Sequence, residues 1–156
     1  MRIINLRDDE DSLPVLAKWH QDEWHFLEPT GTLQDRIRKM RRCLCDAFVP
    51  SIYIAKENNV LLGSAAIIEH DMGTRTDLTP WLAGVYVSEN HRERGIGTRL
   101  VRYVMQQAGV HGFETLYLYT PTRDAFYRRL GWATVEETEY KGCHVTIMSA
   151  DVMANL

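Results

Sequence analysis

From Tyr86 to Leu100 the chain reads Tyr-Val-Ser-Glu-Asn-His-Arg-Glu-Arg-Gly-Ile-Gly-Thr-Arg-Leu, and its centre, Arg92 to Thr98, has the residue types and spacing of a phosphate cradle. The loop joins a β-rich run to an amphipathic one, so its N–H groups fall at an expected helix N-terminus. Unpaired donors and a partial positive charge favour anions there. Gly95 and Gly97 lack the Cβ atoms that would hold a diphosphate away from the main chain. Arg92 and Arg94 add charge, while Ile96 and Thr98 complete the turn into the helix. The chemistry implied is capture of a nucleotide-like diphosphate.

The spacing excludes two common users of such loops. A dinucleotide fingerprint needs a third glycine where Leu100 stands, and a Walker loop needs Gly-Lys-Ser/Thr, which is absent. About thirty residues downstream, Leu116-Tyr117-Leu118-Tyr119-Thr120 reads as a strand. It is followed by Asp124-Ala125-Phe126-Tyr127-Arg128-Arg129-Leu130-Gly131-Trp132, a short helix with a tyrosine four residues before a Gly-aromatic pair. In this order the two stretches resemble the GNAT family of N-acetyltransferases, well over residues 48–149 and in outline over residues 1–47.

The resemblance implies acetyl-CoA as co-substrate, its pyrophosphate on residues 92–98 and its pantetheine arm wedged between splayed fourth and fifth strands. Val85 and Val87 are then the expected main-chain contacts, and the N–H of Val85 or a neighbour faces the thioester carbonyl, where negative charge develops. Tyr127 aligns with the family's general acid, which protonates the departing thiolate, and Asp124 with a position beside the pantetheine arm. On the residues alone, Tyr127 is a packed aromatic and Asp124 an exposed first-turn carboxylate. No carboxylate lies in Trp81-Leu82-Ala83-Gly84-Val85-Tyr86-Val87, where some members keep their general base. Glu23, His70 and Asp71 are the candidates, with a water chain as the alternative.

The expected reaction is direct acetyl transfer, in a ternary complex, to a primary amine of a small molecule or peptide. A non-catalytic CoA-binding sensor is the alternative from another class. An aromatic and acidic mouth made of Trp19, Trp24, Trp81, Asp22, Glu23, Asp71 and Asp77 would suit a cationic amine, with core positions the alternative reading of the tryptophans and the expected one for two of the four. The basic run Arg36, Arg38, Lys39, Arg41 and Arg42 reads as a solvated helix face, with contact to an anionic substrate or phosphate as the alternative.

Bulk properties agree. The 156 residues suffice for one domain over residues 1–156, and 18 basic against 21 acidic side chains give a net charge of −3, disfavouring nucleic acid and anionic membranes as partners. No apolar run spans a bilayer and the start lacks a signal-peptide core, so a cytoplasmic location is expected. Cys43, Cys45 and Cys143 read as reduced thiols, and six scattered histidines give no metal-ligand spacing. A homodimer is compatible with the resemblance.

The elements that must position these residues follow from periodicity. Strands are expected at 2–7, 51–57, 60–69, 81–88, 114–120, 132–138 and 142–149, with Asn58-Asn59 as a hairpin turn. Ser12 is expected to cap a helix that carries Pro14 in its first turn and runs to about Trp24. A second helix, 32–45, buries Leu33, Ile37, Met40 and Leu44. A third buries Ile96, Leu100, Val101, Val104 and Ala108, and a fourth spans 122–130. The order β-α-α-β-β-β-α-β-α-β-β is that of the α/β (α+β) acetyltransferase fold: a mixed, mostly antiparallel sheet of six to seven strands flanked by helices.

Overall fold

Strand β2 (Ser51–Glu57) is buried over its first six residues, which requires cover on both faces. Ile52 and Ile54 pack with Leu13, Leu16 and Ala17 of α1 (Leu13–Trp24) and Met40 of α2 (Leu33–Arg41). Tyr53 and Ala55 point the other way, into a core with Leu100, Val101 and Val104 of α3 (Ile96–Val110). Alternation along the strand thus feeds two separate apolar layers. The computed structural model describes residues 1–153.

Around this centre the sheet has seven strands, ordered β1-β2-β3-β4-β5-β7-β6. The others are β1 (Arg2–Asn5), β3 (Val60–Ile68), β4 (Trp81–Val87), β5 (Thr115–Thr120), β6 (Ala133–Tyr140) and β7 (Cys143–Asp151). Each neighbouring pair is antiparallel except β4 and β5. Asn58 and Asn59 close the β2–β3 hairpin with φ of 52° and 66°, the left-handed turn expected of Asn. Among the described residues no helix is long and apolar enough to cross a membrane.

The helix termini depart from expectation in two places. Ser12 does not cap α1: it sits in a 3-10 turn with its own backbone helical, and its hydroxyl donates to Asp9 Oδ2 at 2.7 Å. Asp9 also accepts from Lys56 Nζ at 2.6 Å, so the serine fastens the N-terminal turn to β2 instead. Helix α2 begins as expected, with Thr32 and Asp35 forming a reciprocal capping box, yet ends at Arg41. The N–H groups of Arg42, Cys43 and Leu44 reach back three residues, a tighter winding that still lets Leu44 pack. The first strand stops at Asn5 because its side chain accepts the Arg7 N–H at 3.0 Å and starts a turn.

The β3–β4 seam is tightest at Gly63, opposite Val87. A Cβ there would collide with the Tyr86 carbonyl oxygen and stand 3.2 Å from Val87 Cα. Gly63→Ala is expected to cost at least about 2 kcal/mol and lower the thermal midpoint by roughly 4–8 °C. A midpoint within 1 °C of wild type would show that the seam can yield.

Candidate functional site

Strands β4 and β5 share one ladder pair, Trp81 with Tyr117, and then diverge. Burial records the split: Trp81 and Leu82 are buried, whereas residues 83–87 keep part of their surface. Beyond Trp81 the β5-facing edge of β4 therefore has no strand partner among the described residues. The gap opens into one cavity of about 1680 Å³, larger than the few hundred to a thousand cubic ångströms that a compact ligand fills. It runs from the N-terminus of α3, past Tyr127, to the β6–β7 turn.

At the α3 end the loop folds as a cradle. Gly95 adopts φ of 77° at the cap of α3, and a Cβ there would meet nothing within 4 Å, so the glycine is required by the turn and not by crowding. Gly95, Ile96, Gly97 and Thr98 line the cavity. Arg92 lines it too, but its Nε donates to the Val87 carbonyl at 3.0 Å and its guanidinium stands 5.5 Å from the Tyr86 ring centroid. Arg94 is turned away: its guanidinium pairs with Glu57 at 3.3 Å. His91, which the sequence reading passed over, lines the cavity with Nδ1 buried and unpartnered among the described residues. A buried orphan nitrogen beside open N–H groups fits a phosphate-bearing ligand.

The middle of the cavity is organised by a bulge. Ala66 pairs with Ala83 and Ser64 with Tyr86, so Gly84 and Val85 stand opposite Ala65 alone, and Gly84 takes φ of 58°. Ser64 Oγ donates to the Gly84 carbonyl at 2.7 Å, and His20 Nε2 lies 2.9 Å from the same hydroxyl. A carbonyl can only accept and a serine has one hydrogen, so His20 Nε2 must be the donor and Nδ1 the bare nitrogen. Burial holds His20 neutral, with its pKa down at about 3. The imidazole thus buttresses the bulge from α1, and sequence spacing offers no sign of that role.

Tyr127 is 8% exposed and lines the same cavity, its ring packed edge-on against Phe126 and Trp132. Burial pushes its pKa up to about 12, so the phenol stays protonated at neutral pH. Val85 and Val87 also line the cavity. Asp124 does not: it lies outside the lining and is paired with Arg128 one turn on. The three base candidates all reach the wall, and burial raises the carboxyl of Asp71 to about 7. Glu23 is exposed, and His70 sits 3.7 Å from Glu69 with 42% of its side chain in solvent.

The far end of the cavity differs from the acidic, aromatic mouth expected from the sequence. Trp81 is fully buried, Asp22 pairs with Lys18 and Asp77 with Arg75, and Trp19 lies outside the lining. Trp24, Glu23 and Asp71 remain. They are joined by Glu28, which Lys141 contacts at 2.7 Å and Lys39 at 3.7 Å, and by Tyr119, whose pKa burial and Asp71 raise. Arg36 is not on a solvated face: it is half-buried in this wall, with Nε donating to Gln21 Oε1 at 3.0 Å.

The arrangement has relatives. The ribosomal-protein-alanine N-acetyltransferase of Brucella melitensis superposes with TM-score 0.77 at 18% identity, covering 97% of this chain and 99% of that one. An aminoglycoside 6'-N-acetyltransferase complexed with coenzyme A gives 0.74 at 18% identity, with 97% of both chains covered. An aminoglycoside 6'-acetyltransferase type Ii gives 0.69 at 22% identity, again over 97% of both. At these identities the likeness shows the fold. A search of curated proteins gives no match. The sequence signature of the Acetyltransferase (GNAT) family matches residues 13–132, from the first residue of α1 through the cradle, the split strands and Tyr127 to Trp132. The chain belongs to that family.

Proposed function

We propose that the protein transfers an acetyl group from acetyl-CoA directly to a primary amine of a small molecule or peptide within a ternary complex. The observation that carries this reading is the continuity of one cavity past the α3 cradle, the unpartnered edge of β4 and Tyr127. Family membership and a structural relative crystallised with coenzyme A support it. Acetyl-CoA supplies an activated acetyl thioester.

The protein's own groups then have separable tasks. The N–H groups of residues 95–98 and His91 Nδ1 hold the diphosphate, with Arg92 setting the loop from behind through the Val87 carbonyl. Val85, in the bulge and outside the regular β3–β4 pairs, is the proposed main-chain N–H donor to a developing oxyanion. The His20–Ser64–Gly84 chain keeps the bulge in place before any ligand arrives. Asp71, raised to about 7, can accept the proton that an ammonium must lose. Cys43 is the cysteine on the cavity wall, and burial pushes its thiol up to about 11, which favours direct transfer over a covalent relay.

Tyr127 is the proposed acid. Full proton transfer from a phenol at about 12 to a thiolate near 8.5 is uphill by roughly 5 kcal/mol. Its contribution is therefore a hydrogen bond that strengthens as charge leaves on sulfur.

Thermal melting tests the coenzyme site. Acetyl-CoA at 100 times its dissociation constant is expected to add about 2.7 kcal/mol to wild type. The gain should vanish in Gly97→Glu and persist in Gly97→Ala, whose new Cβ would make only ordinary contacts, 3.5 Å from Val87 and 3.6 Å from Phe126. Melts indifferent to acetyl-CoA in wild type would overturn the assignment.

Single-turnover rates test the phenol. Tyr127→Phe should lose roughly 10²- to 10³-fold while binding acetyl-CoA normally. Transfer at the wild-type rate would reduce the residue to packing.

The pH dependence of the same rate tests the base. Asp71 works only when ionised, so the wild-type rate should climb about tenfold per unit below pH 7 and level off above it. In Asp71→Asn that inflection should disappear. An inflection at the same pH in the variant would move the role to Glu23, His70 or solvent.

A further inference from the structure

The acceptor end of the cavity carries a guanidinium with unused donors. Arg36 projects from the first half of α2 into the wall shared with Asp71 and Tyr119. Its Nε is fixed by Gln21 Oε1, and Gln21 is itself anchored, its Nε2 donating to the Gly31 carbonyl at 3.0 Å. The fork is therefore held in orientation before any ligand binds. Among the described residues no carboxylate lies within 4 Å of it. Glu28, the nearby anion that acts on it, is already bridged to Lys141 and Lys39. Half-burial costs the guanidinium hydration, and its pKa is drawn down accordingly.

Such an arrangement has one chemical complement. Two cations share one carboxylate, and a third, planar and preset, is left to face the cavity. Immediately around the fork the excess is positive, while Asp71 and Glu23 supply negative charge elsewhere on the same wall, so this end offers one partner to a carboxylate and another to an amine. A carboxylate matches the guanidinium fork with two parallel hydrogen bonds, which an ammonium on the same stem could not supply. We propose that the acetyl acceptor is a small amine bearing a carboxylate, an amino acid or a close analogue, and that Arg36 binds that carboxylate so as to deliver the amine toward Asp71.

The proposal deepens the acetyl-transfer reading and rests on it for turnover, but not for binding. Two measurements are therefore paired. Acetylation of leucine, methionine and 4-aminobutyrate is compared with that of leucinamide, methioninamide and butylamine. In parallel, the same six compounds are titrated calorimetrically into the protein saturated with coenzyme A. In wild type each acid should exceed its carboxylate-free counterpart by at least about tenfold in kcat/KM and in affinity. Arg36→Gln should bring the ratio close to one with acetyl-CoA affinity unchanged, and Arg36→Lys should keep only part of the preference, since it restores charge without the fork. The α-amino acids and 4-aminobutyrate distinguish a short from a long span between amine and carboxylate.

Equal handling of acids and amides in both measurements, or an undiminished preference in Arg36→Gln, overturns the assignment and leaves acetyl transfer standing. A preference for the amides is the result a cationic or peptide acceptor would give, and it overturns the assignment as well. Carboxylate-selective binding with no acetylation of any compound overturns the acetyl-transfer reading and retains the role of Arg36.

Discussion

Everything functional in this molecule depends on two parallel strands failing to stay together. Parallel pairing of β4 and β5 begins at Trp81 and Tyr117 and goes no further. Backbone amides and carbonyls left without a partner must be satisfied in some other way, by water or by a ligand with amides of its own. The separation is sustained from both sides. On one, α3 buries Leu100, Val101 and Val104 against the β2–β3 side of the sheet; on the other, β7 pairs along the full length of β5 and draws it away. The core is continuous across the split, since Leu82 of β4 and Leu116 and Leu118 of β5 meet in one cluster beneath it. The gap is thus a built absence in an otherwise closed sheet.

The residues around the gap divide by electrical character. At the α3 end main-chain N–H groups, with fixed partial charges, stand beside the buried Nδ1 of His91. In the middle, His20 and Tyr127 are kept neutral by burial at opposite extremes, one far below and the other far above physiological pH. Only at the acceptor end does burial bring a group to the working range, Asp71 at about 7. Groups of distinct chemistry thus succeed one another along one channel.

The legible parts of this design were contiguous in the sequence. The cradle and the Tyr127 helix are each encoded within about ten residues, where glycine spacing and helical periodicity speak directly, and the seven strands follow from alternation. The acceptor end was illegible for the opposite reason. Arg36 is one of five basic residues between positions 36 and 42, and which of them meets the cavity is decided by how α2 docks and by Gln21, fifteen residues earlier. The rise of Asp71 comes from burial and from Glu28, against the opposing pull of Lys141, and both charged partners are distant in the chain. His20 gained its place through Ser64, 44 residues on. Arg94 and Asp124 show the converse limit: correct residue types in correct positions, taken by Glu57 and Arg128.

The bare edge of β4 also makes the sheet a recorder of its own occupancy. An amide that lacks a strand partner exchanges its hydrogen with solvent far faster than one locked in a ladder. On the β3 side the amides of β4 are held by antiparallel pairs from Gly63–Val87 to Ile68–Trp81, while on the β5 side nothing beyond Trp81 protects them. A single strand therefore carries slow and fast deuterium uptake on its two edges. Filling the gap would slow one edge alone, reporting occupancy without a label, a substrate or a chemical step.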